Sequence, residues 1–214
     1  QFGLLAGMPI LSGSLSRVFL GIWSDRVGGR RLFVALMVIA AIACFALAYA
    51  TTYPAMLTCA LVLGLAGGNF SVGVAYVARF FAPANQGLAL GIFGSGNVGA
   101  ALTKFFAPFV MIAFGWRTVA EVWAVALLAM AAVFVVFTRE DPQEAARRAA
   151  KAAPQPLREQ FAVLANLQVW RFSLYYGFVF GGFIGLALWL PHYLIDVYGL
   201  DVRTAGMLAA FYSV

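Results

Sequence analysis

Polar side chains inside long apolar runs are the first candidates for chemistry in this chain of 214 residues. Arg17 lies eight residues before Asp25, and no acidic residue shares its run. Each helical residue advances ~1.5 Å, so the guanidinium would lie ~12 Å from the end of a membrane-crossing helix. A charge at the bilayer centre costs about 2.5–3.5 kcal/mol even on lenient scales, so Arg17 predicts a substrate or pathway role. The alternative is a structural arginine that is paired within the helix bundle.

Two asparagines fall at a similar predicted depth. Asn69 lies ten residues before Arg79 and Asn97 lies ten residues after Gly87, so both would lie ~15 Å from the same membrane face. We expect both to join a substrate site with Arg17, because no carboxylate at that depth balances the cation and an unbalanced buried charge is costly. The alternative is that each asparagine joins two helices through a hydrogen bond, worth ~0.6 kcal/mol on average.

Aromatic residues of a later run reach the same region. Tyr176 and Phe180 lie five and nine residues after Arg171, which corresponds to depths of ~8–14 Å. A guanidinium, two carboxamides and a phenol from four runs predict a binding site for a small anion. Lys104 lies seventeen residues into its run, ~26 Å up, and is expected at the opposite interface. A role of Lys104 in anion entry or proton coupling stays open.

The apolar runs themselves predict a membrane protein. The chain is 64% hydrophobic and 10% charged, whereas soluble domains are about 45–50% apolar and about 25% charged. Each complete run approaches the ~20 residues that a helix needs to cross ~30 Å of hydrocarbon. We predict an all-α fold, a polytopic membrane helix bundle. Its six complete transmembrane helices span roughly 3–24, 32–50, 55–79, 87–113, 118–137 and 171–194, and another opens near 204.

The basic residues indicate topology rather than nucleic-acid binding. Of fourteen lysines and arginines, only Arg117 and Arg203 fall on one side of the predicted helices. Cytoplasmic loops carry the excess of basic residues, so the opposite, strongly basic side is predicted to be cytoplasmic. We therefore expect a multi-pass protein of the inner (cytoplasmic) membrane. The ten residues on the basic side are Arg26, Arg30, Arg31, Arg79, Arg139, Arg147, Arg148, Lys151, Arg158 and Arg171.

The long polar stretch 138–168 is predicted to be a cytoplasmic linker. Pro154 and Pro156 precede an amphipathic run from Leu157 to Leu167, which is typical of helical pieces that lie along a membrane surface. The chain is thus predicted to divide into 1–137, the linker 138–168, and 169–214. It begins in an apolar run without an initiator methionine and ends in an unfinished helix, so we expect a fragment of a longer protein.

Composition argues against an enzyme, a disulfide framework and a metal centre. Cys44 and Cys59 both lie in apolar runs, and the chain has one histidine. An enzyme within the membrane would need a nucleophile–base pair or metal ligands at one depth, and we expect no Asp or Glu inside the runs. Neither a metal site nor a cofactor is therefore expected.

Residues 21–31, Gly-Ile-Trp-Ser-Asp-Arg-Val-Gly-Gly-Arg-Arg, resemble the cytoplasmic loop motif between the second and third helices of the major facilitator superfamily. Trp23 stands where that family more often has leucine. The resemblance implies a conformational latch formed by Asp25 with Arg26 and Arg30. It also implies helices two to six in the first segment, the linker between the two halves in the second, and helix seven with part of helix eight in the third.

Four further stretches are similar to the nitrate/nitrite porter family of that superfamily. They are Ser-Gly-Ser-Leu-Ser-Arg-Val at 12–18, Gly-Gly-Asn-Phe-Ser at 67–71, Gly-Leu-Ala-Leu-Gly-Ile-Phe-Gly-Ser-Gly-Asn-Val-Gly at 87–99, and Tyr-Gly-Phe-Val-Phe-Gly-Gly-Phe-Ile-Gly at 176–185. The similarity implies a substrate site that includes Arg17, Asn97 and Tyr176, with aromatic rings of Phe70 and Phe180 flanking the anion. Gly96 and Asn69 of the same stretches complete the predicted site. A second substrate arginine is expected in the eighth helix, beyond Val214.

The predicted function is secondary active transport of nitrate and/or nitrite by alternating access of two halves around a mid-membrane site. Nitrate is a small planar anion, and a guanidinium offers it paired, charge-assisted donors. The alternative is a porter of another small anion, such as formate or oxalate, and a passive channel is a further alternative. The expected partners are the anion, the lipid bilayer and, as a candidate coupling ion, the proton. We expect a monomer that binds no nucleic acid.

Overall fold

The computed structural model describes residues 2–141, 146 and 161–212, and every regular element in those ranges is helical, which confirms the predicted all-α class. Short 3-10 turns lie at Leu65–Gly68, Ser95–Asn97 and Ala162–Ala165. The α-helices of the described ranges are α1 Phe2–Val27, α2 Gly29–Tyr49, α3 Tyr53–Gly64, α4 Asn69–Ala78, α5 Pro83–Gly94, α6 Val98–Phe114, α7 Trp116–Phe137, α8 Leu167–Tyr198 and α9 Val202–Tyr212.

Six helical segments are long and apolar enough to cross a membrane, as predicted. Two of them are composite, because a 3-10 turn joins α3 to α4 and another joins α5 to α6. The last, predicted at 171–194, runs from Leu167 to Tyr198, because backbone hydrogen bonding carries a helix beyond the hydrocarbon that hydropathy reports. The six are Gly3–Val27, Gly29–Tyr49, Tyr53–Ala78, Pro83–Phe114, Trp116–Phe137 and Leu167–Tyr198.

Local signals in the sequence explain where helices begin and end. Gly28 separates α1 from α2 with a φ of 105°, a conformation that a residue without Cβ adopts at little cost. The side chain of Asn166 accepts a hydrogen bond from the amide of Gln168 at 2.9 Å and caps the start of α8. The same helix ends at Gly199, whose φ is 65° and whose amide donates to the Ile195 carbonyl at 3.0 Å.

The chain divides into two compact units. The first holds the residues up to Gly94 together with Phe114 to Asp141, and its helices are α1 to α5 and α7. Small side chains let its helices pack closely in the cluster that joins α2 to α7, where Leu63 and Trp123 pack on the buried residues. The buried members of this cluster are Cys44, Ala48, Ala120 and Ala124, and those of a second apolar cluster are Leu20, Leu32, Leu36 and Val72.

The second unit holds Ser95–Ala113 and the described residues from 161 onward. This grouping places α6 with α8 and α9, whereas the sequence division at 137 and 169 assigns α6 to the first segment. Gly206 of α9 packs on α6, since a Cβ there would lie 2.7 Å from Pro108 Cγ and 2.9 Å from the Lys104 carbonyl oxygen. Of the predicted linker, residues 142–145 and 147–160, including Pro154, Pro156 and the start of the amphipathic run, lie outside the described residues.

Candidate functional site

Arg17 lies in the part of α1 that packs closely on the composite helix of α3 and α4. A Cβ built on Gly13 would lie 2.7 Å from the Gly64 carbonyl oxygen, and one on Gly68 would lie 3.2 Å from Ser16 Oγ. Arg17 follows Ser16 and lies four residues after Gly13, which puts it on the flank of the packed face. Its side chain is partly buried and its Nε atom is fully buried.

Asn69 lies at the same level on the neighbouring helix. It follows Gly68 directly, and a Cβ on that glycine would meet Ser16 and Leu20, which lie on either side of Arg17 in the sequence of α1. Asn69 Oδ1 is buried and receives no hydrogen bond from the described residues. Two of the predicted substrate-binding side chains therefore lie at one depth on adjacent helices of the first unit.

Phe70 adds an aromatic ring beside these polar groups. It follows Asn69 on α4, and its ring centroid lies 5.5 Å from that of Phe93 on α5, with the rings tilted by 38°. Both side chains are partly buried. Aromatic pairs at this separation contribute about 0.5–1.5 kcal/mol beyond their apolar burial, so the pair fixes the relative position of the two rings.

The other predicted site residues belong to the second unit. Tyr176 and Phe180 stack on α8, with ring centroids 5.1 Å apart and an interplanar angle of 14°. The stack continues from Phe180 to Phe183 at 6.1 Å, and from there to Tyr212 of α9 at 5.6 Å. Tyr176 is 48% exposed.

Asn97 and Gly96 lie in the 3-10 turn that joins α5 to α6. Both residues are exposed, and the Asn97 side chain makes no hydrogen bond to a described residue. A 3-10 turn within a long helix often marks a functional hinge or local strain. Both composite helices thus have an asparagine of the predicted site at their 3-10 turn, since Asn97 ends one turn and Asn69 directly follows the other.

An ionic cluster lies at the end of the first unit that carries Asp25. Arg79 reaches two carboxylates, with Nη2 at 2.5 Å from Asp25 Oδ1 and Nη1 at 3.3 Å from Asp141 Oδ2. Asp141 is only 1% exposed, and ion pairs gain strength where water is excluded. It belongs to the segment Thr138–Asp141, which directly follows α7 and which we call the strap.

Two further hydrogen bonds hold the strap. Arg30 Nε donates to the Thr138 hydroxyl at 3.2 Å. The Tyr76 hydroxyl donates to the Arg139 carbonyl oxygen. Side chains from α2 and α4 thus fasten the first residues after α7 to the end of the first unit that carries Asp25.

The three residues of the predicted latch have different surroundings. Asp25 pairs with Arg79 rather than with a basic residue of its own motif. Arg30 holds the strap. Arg26 is exposed, and its side chain makes no hydrogen bond or ion pair with a described residue.

The sequence alone did not predict Arg79, Asp141 and Tyr76 as members of this cluster. A usable signal was present for the arginine, because helix count places the end of α4 on the same side as Asp25 and the two charges are opposite. No comparable signal identified Tyr76, since a tyrosine in an apolar helix is equally compatible with simple burial.

The expectation that no acidic residue lies inside a run is wrong for Glu121. This residue lies in the second turn of α7, and the Tyr49 hydroxyl donates to its Oε1 at 2.8 Å. It is tolerated because it lies near a helix end, where a carboxylate reaches the interface more cheaply than at mid-depth. Within the described ranges, no group of three or more His, Cys, Asp or Glu side chains could hold a metal ion.

Comparison with known proteins gives consistent matches. The family model of the Major Facilitator Superfamily matches residues 1–214. The chain is 37% identical over 225 residues to a probable nitrate/nitrite antiporter of Thermus thermophilus, covering 99% of this chain and 49% of that protein. It is 34% identical over 217 residues to a probable nitrate/nitrite transporter of Mycobacterium tuberculosis, covering 100% of this chain and 53% of that protein.

A nitrite extrusion protein of Bacillus subtilis is 29% identical over 215 residues, with 98% of this chain and 52% of that protein covered. The chain thus spans about half the length of the curated relatives it matches. The superfamily match extends over all 214 residues, and it agrees with the six long apolar helical segments. The chain belongs to the major facilitator superfamily.

Proposed function

We propose that the complete protein carrying this chain is a secondary active transporter that moves nitrate and/or nitrite across the cytoplasmic membrane by alternating access. The observation that carries the proposal is the level shared by Arg17 and Asn69 on adjacent apolar helices. The relatives named for nitrate and nitrite support the choice of substrate.

The guanidinium of Arg17 recognises the anion. It is planar and permanently charged, and it presents paired N–H donors that match the geometry of a planar oxyanion. Charge-assisted hydrogen bonds of this kind are roughly twice as strong as neutral ones. Asn69 adds a carboxamide, and the ring of Phe70 excludes water from the same region, which strengthens the electrostatic attraction.

Residues of the second unit enter the proposal through the resemblance to nitrate/nitrite porters. Tyr176 and Asn97 supply neutral hydrogen-bond donors to the substrate. Phe180 supplies an aromatic face, and Gly96 lets the backbone approach.

The proposed orientation places the Asp25 end, the strap and the 138–168 linker in the cytoplasm. The basic residues concentrated at this end support that assignment. Asp25, Arg26 and Arg30 form the proposed conformational latch, with Arg79 as the partner of the carboxylate. The transporter works as a monomer in the lipid bilayer, and its coupling is either proton symport or nitrate/nitrite exchange.

Replacement of Arg17 tests the proposal. Arg17→Lys keeps the positive charge but removes the planar pair of donors. Losing one hydrogen bond to a charged group costs about 1.5–3 kcal/mol, so uptake of labelled nitrate by proteoliposomes should fall by about tenfold to hundredfold. The measurement uses the complete protein at a nitrate concentration below half-saturation.

Arg117→Lys is the matched control. Arg117 is exposed at the start of α7, so the same chemical change there should leave nitrate uptake near the wild-type rate. Transport by Arg17→Lys at a rate close to that of the control variant would remove Arg17 from the substrate site.

A further inference from the structure

Gly73 and Phe93 form a contact that leaves no space for a side chain on α4. A Cβ built on Gly73 would lie 2.4 Å from Phe93 Cζ, 2.8 Å from Phe93 Cε2 and 3.0 Å from Phe33 Cε2. The Phe93 ring therefore rests directly on the α4 backbone, in the volume that any other residue would fill. Phe33 of α2 closes the same space from another side.

This contact lies one helical turn from a predicted substrate residue. Phe70 is three residues before Gly73 on α4, and residues at that spacing share a helix face. The ring of Phe70 packs against that of Phe93, with centroids 5.5 Å apart. Phe93 thus touches both the bare backbone at Gly73 and the ring of Phe70.

Phe33 lies between Gly73 of α4 and Phe134 of α7. Because protein interiors are close-packed, its ring cannot shift without moving those neighbours. Phe33 itself stacks on Phe134 of α7, with centroids 4.8 Å apart and an angle of 22°. A methyl group on Gly73 would therefore displace the Phe93 ring rather than Phe33. To restore a carbon–carbon contact of about 3.5 Å from 2.4 Å, that ring must move by about 1 Å.

We propose that Gly73 and Phe93 are positioning residues that set the location of the Phe70 ring and thereby the fit of the site to a small planar anion. The inference rests on the proposed function, because it takes Phe70 as an aromatic wall of the substrate site. Neither positioning residue touches the anion. Gly73 determines how closely the Phe93 ring approaches the α4 backbone. The position of the Phe93 ring in turn determines where the Phe70 ring lies.

The test compares Gly73→Ala, Phe93→Leu and the double variant in proteoliposomes of the complete protein. Misplacement of a substrate-contacting group by about 1 Å can cost up to a hundredfold. We expect Gly73→Ala to raise the half-saturating nitrate concentration by about tenfold, with a maximal rate per folded protein within about twofold of wild type. Gly7→Ala is the matched control, because a Cβ on this α1 glycine meets nothing within 4 Å.

Phe93→Leu keeps the test decisive if Gly73→Ala does not fold, since a smaller side chain cannot overpack. It should also raise the half-saturating concentration, because Phe70 loses its support. The double variant should recover most of the affinity, since leucine leaves room for the methyl group. Such recovery is the coupling expected of two residues in contact.

Two failures are distinguishable. Wild-type protein that carries no nitrate would refute the proposed function. Wild-type transport with an unchanged half-saturating concentration in Gly73→Ala and Phe93→Leu would refute the positioning role alone, as would a lower maximal rate without a change in affinity.

Discussion

Release of the strap by Asp141→Asn is a direct test of the ionic cluster. The Asp141 carboxylate is almost fully buried and accepts from Arg79 at 3.3 Å. Asparagine keeps the size and one acceptor oxygen but removes the charge. Arg79 retains its contact with Asp25, so the substitution leaves no cation stranded without a partner.

The expected magnitude follows from the kind of hydrogen bond that is lost. A hydrogen bond between charged groups contributes about 1.5–3 kcal/mol, and a neutral one about 0.5–1.5 kcal/mol. The difference of about 1–1.5 kcal/mol corresponds to an increase of about tenfold at most in the undocked fraction of the strap. The hydrogen bonds from Arg30 and Tyr76 remain and keep the strap docked most of the time.

Limited proteolysis reports this fraction. When opening is fast relative to cleavage, the rate of tryptic cleavage after Arg139 follows the population of the undocked strap. We expect a rate up to about tenfold above wild type, normalised to the same bond in denatured protein. Arg31→Gln is the control, because its 3.5 Å pair with Glu140 is exposed and should change the rate by about twofold or less. Equal rates for wild type and Asp141→Asn would refute this account of the strap.

Three further predictions concern packing, the substrate and pH. Gly64→Ala should lower the free energy of unfolding by about 3 kcal/mol, since the new Cβ would lie 2.5 Å from a backbone carbonyl oxygen of α1. Gly7→Ala, whose Cβ would meet nothing within 4 Å, should unfold at the wild-type temperature, and equal melting temperatures of the two variants would contradict the tight packing at Gly64. Tyr176→Phe should keep the ring stack of 5.1 Å but raise the half-saturating nitrate concentration up to about tenfold, and an unchanged value would exclude the hydroxyl from binding. Asp201 caps the start of α9, and hydrogen bonds from the hydroxyl and amide of Thr204 hold the pKa of its carboxyl below the ordinary value of 3.8. The cap therefore persists at neutral pH and is lost as the pH falls below that value. Asp201→Ala should speed amide hydrogen exchange in the first turn of α9 at pH 7, and unaltered exchange would contradict the cap.

Hydropathy and charge predicted the membrane-crossing segments, because a helix in lipid must be apolar over a fixed length. The same rule could not predict that two of these segments are composite. The turns at Leu65–Gly68 and Ser95–Asn97 depend on how the backbone accommodates its neighbours, and neither turn contains a proline. Hydropathy also stopped short of the true ends of α8, since the charged Arg171 and Asp196 lie near those ends.

Residue spacing along the helices predicted how deep each polar side chain lies in the membrane, but not which side chains it contacts. It placed Arg17 and Asn69 at one level, and the close packing of α1 on the composite helix agrees with that placement. It could not show that Asp25 pairs with Arg79 across two helices, because helix rotation and tertiary packing decide which opposite charges meet. For the same reason the sequence did not predict the contact of Gly73 with Phe93, because a glycine does not indicate which neighbouring side chain occupies the space beside it.

Anion competition during nitrate uptake by the complete wild-type protein in proteoliposomes tests whether the site selects nitrate and nitrite. A nitrate/nitrite site should give saturable uptake of labelled nitrate that nitrite inhibits and that equal concentrations of formate, oxalate and chloride leave nearly unchanged. Uptake that does not saturate, or that formate or oxalate inhibits more strongly than nitrite does, would contradict the assignment of a nitrate/nitrite site.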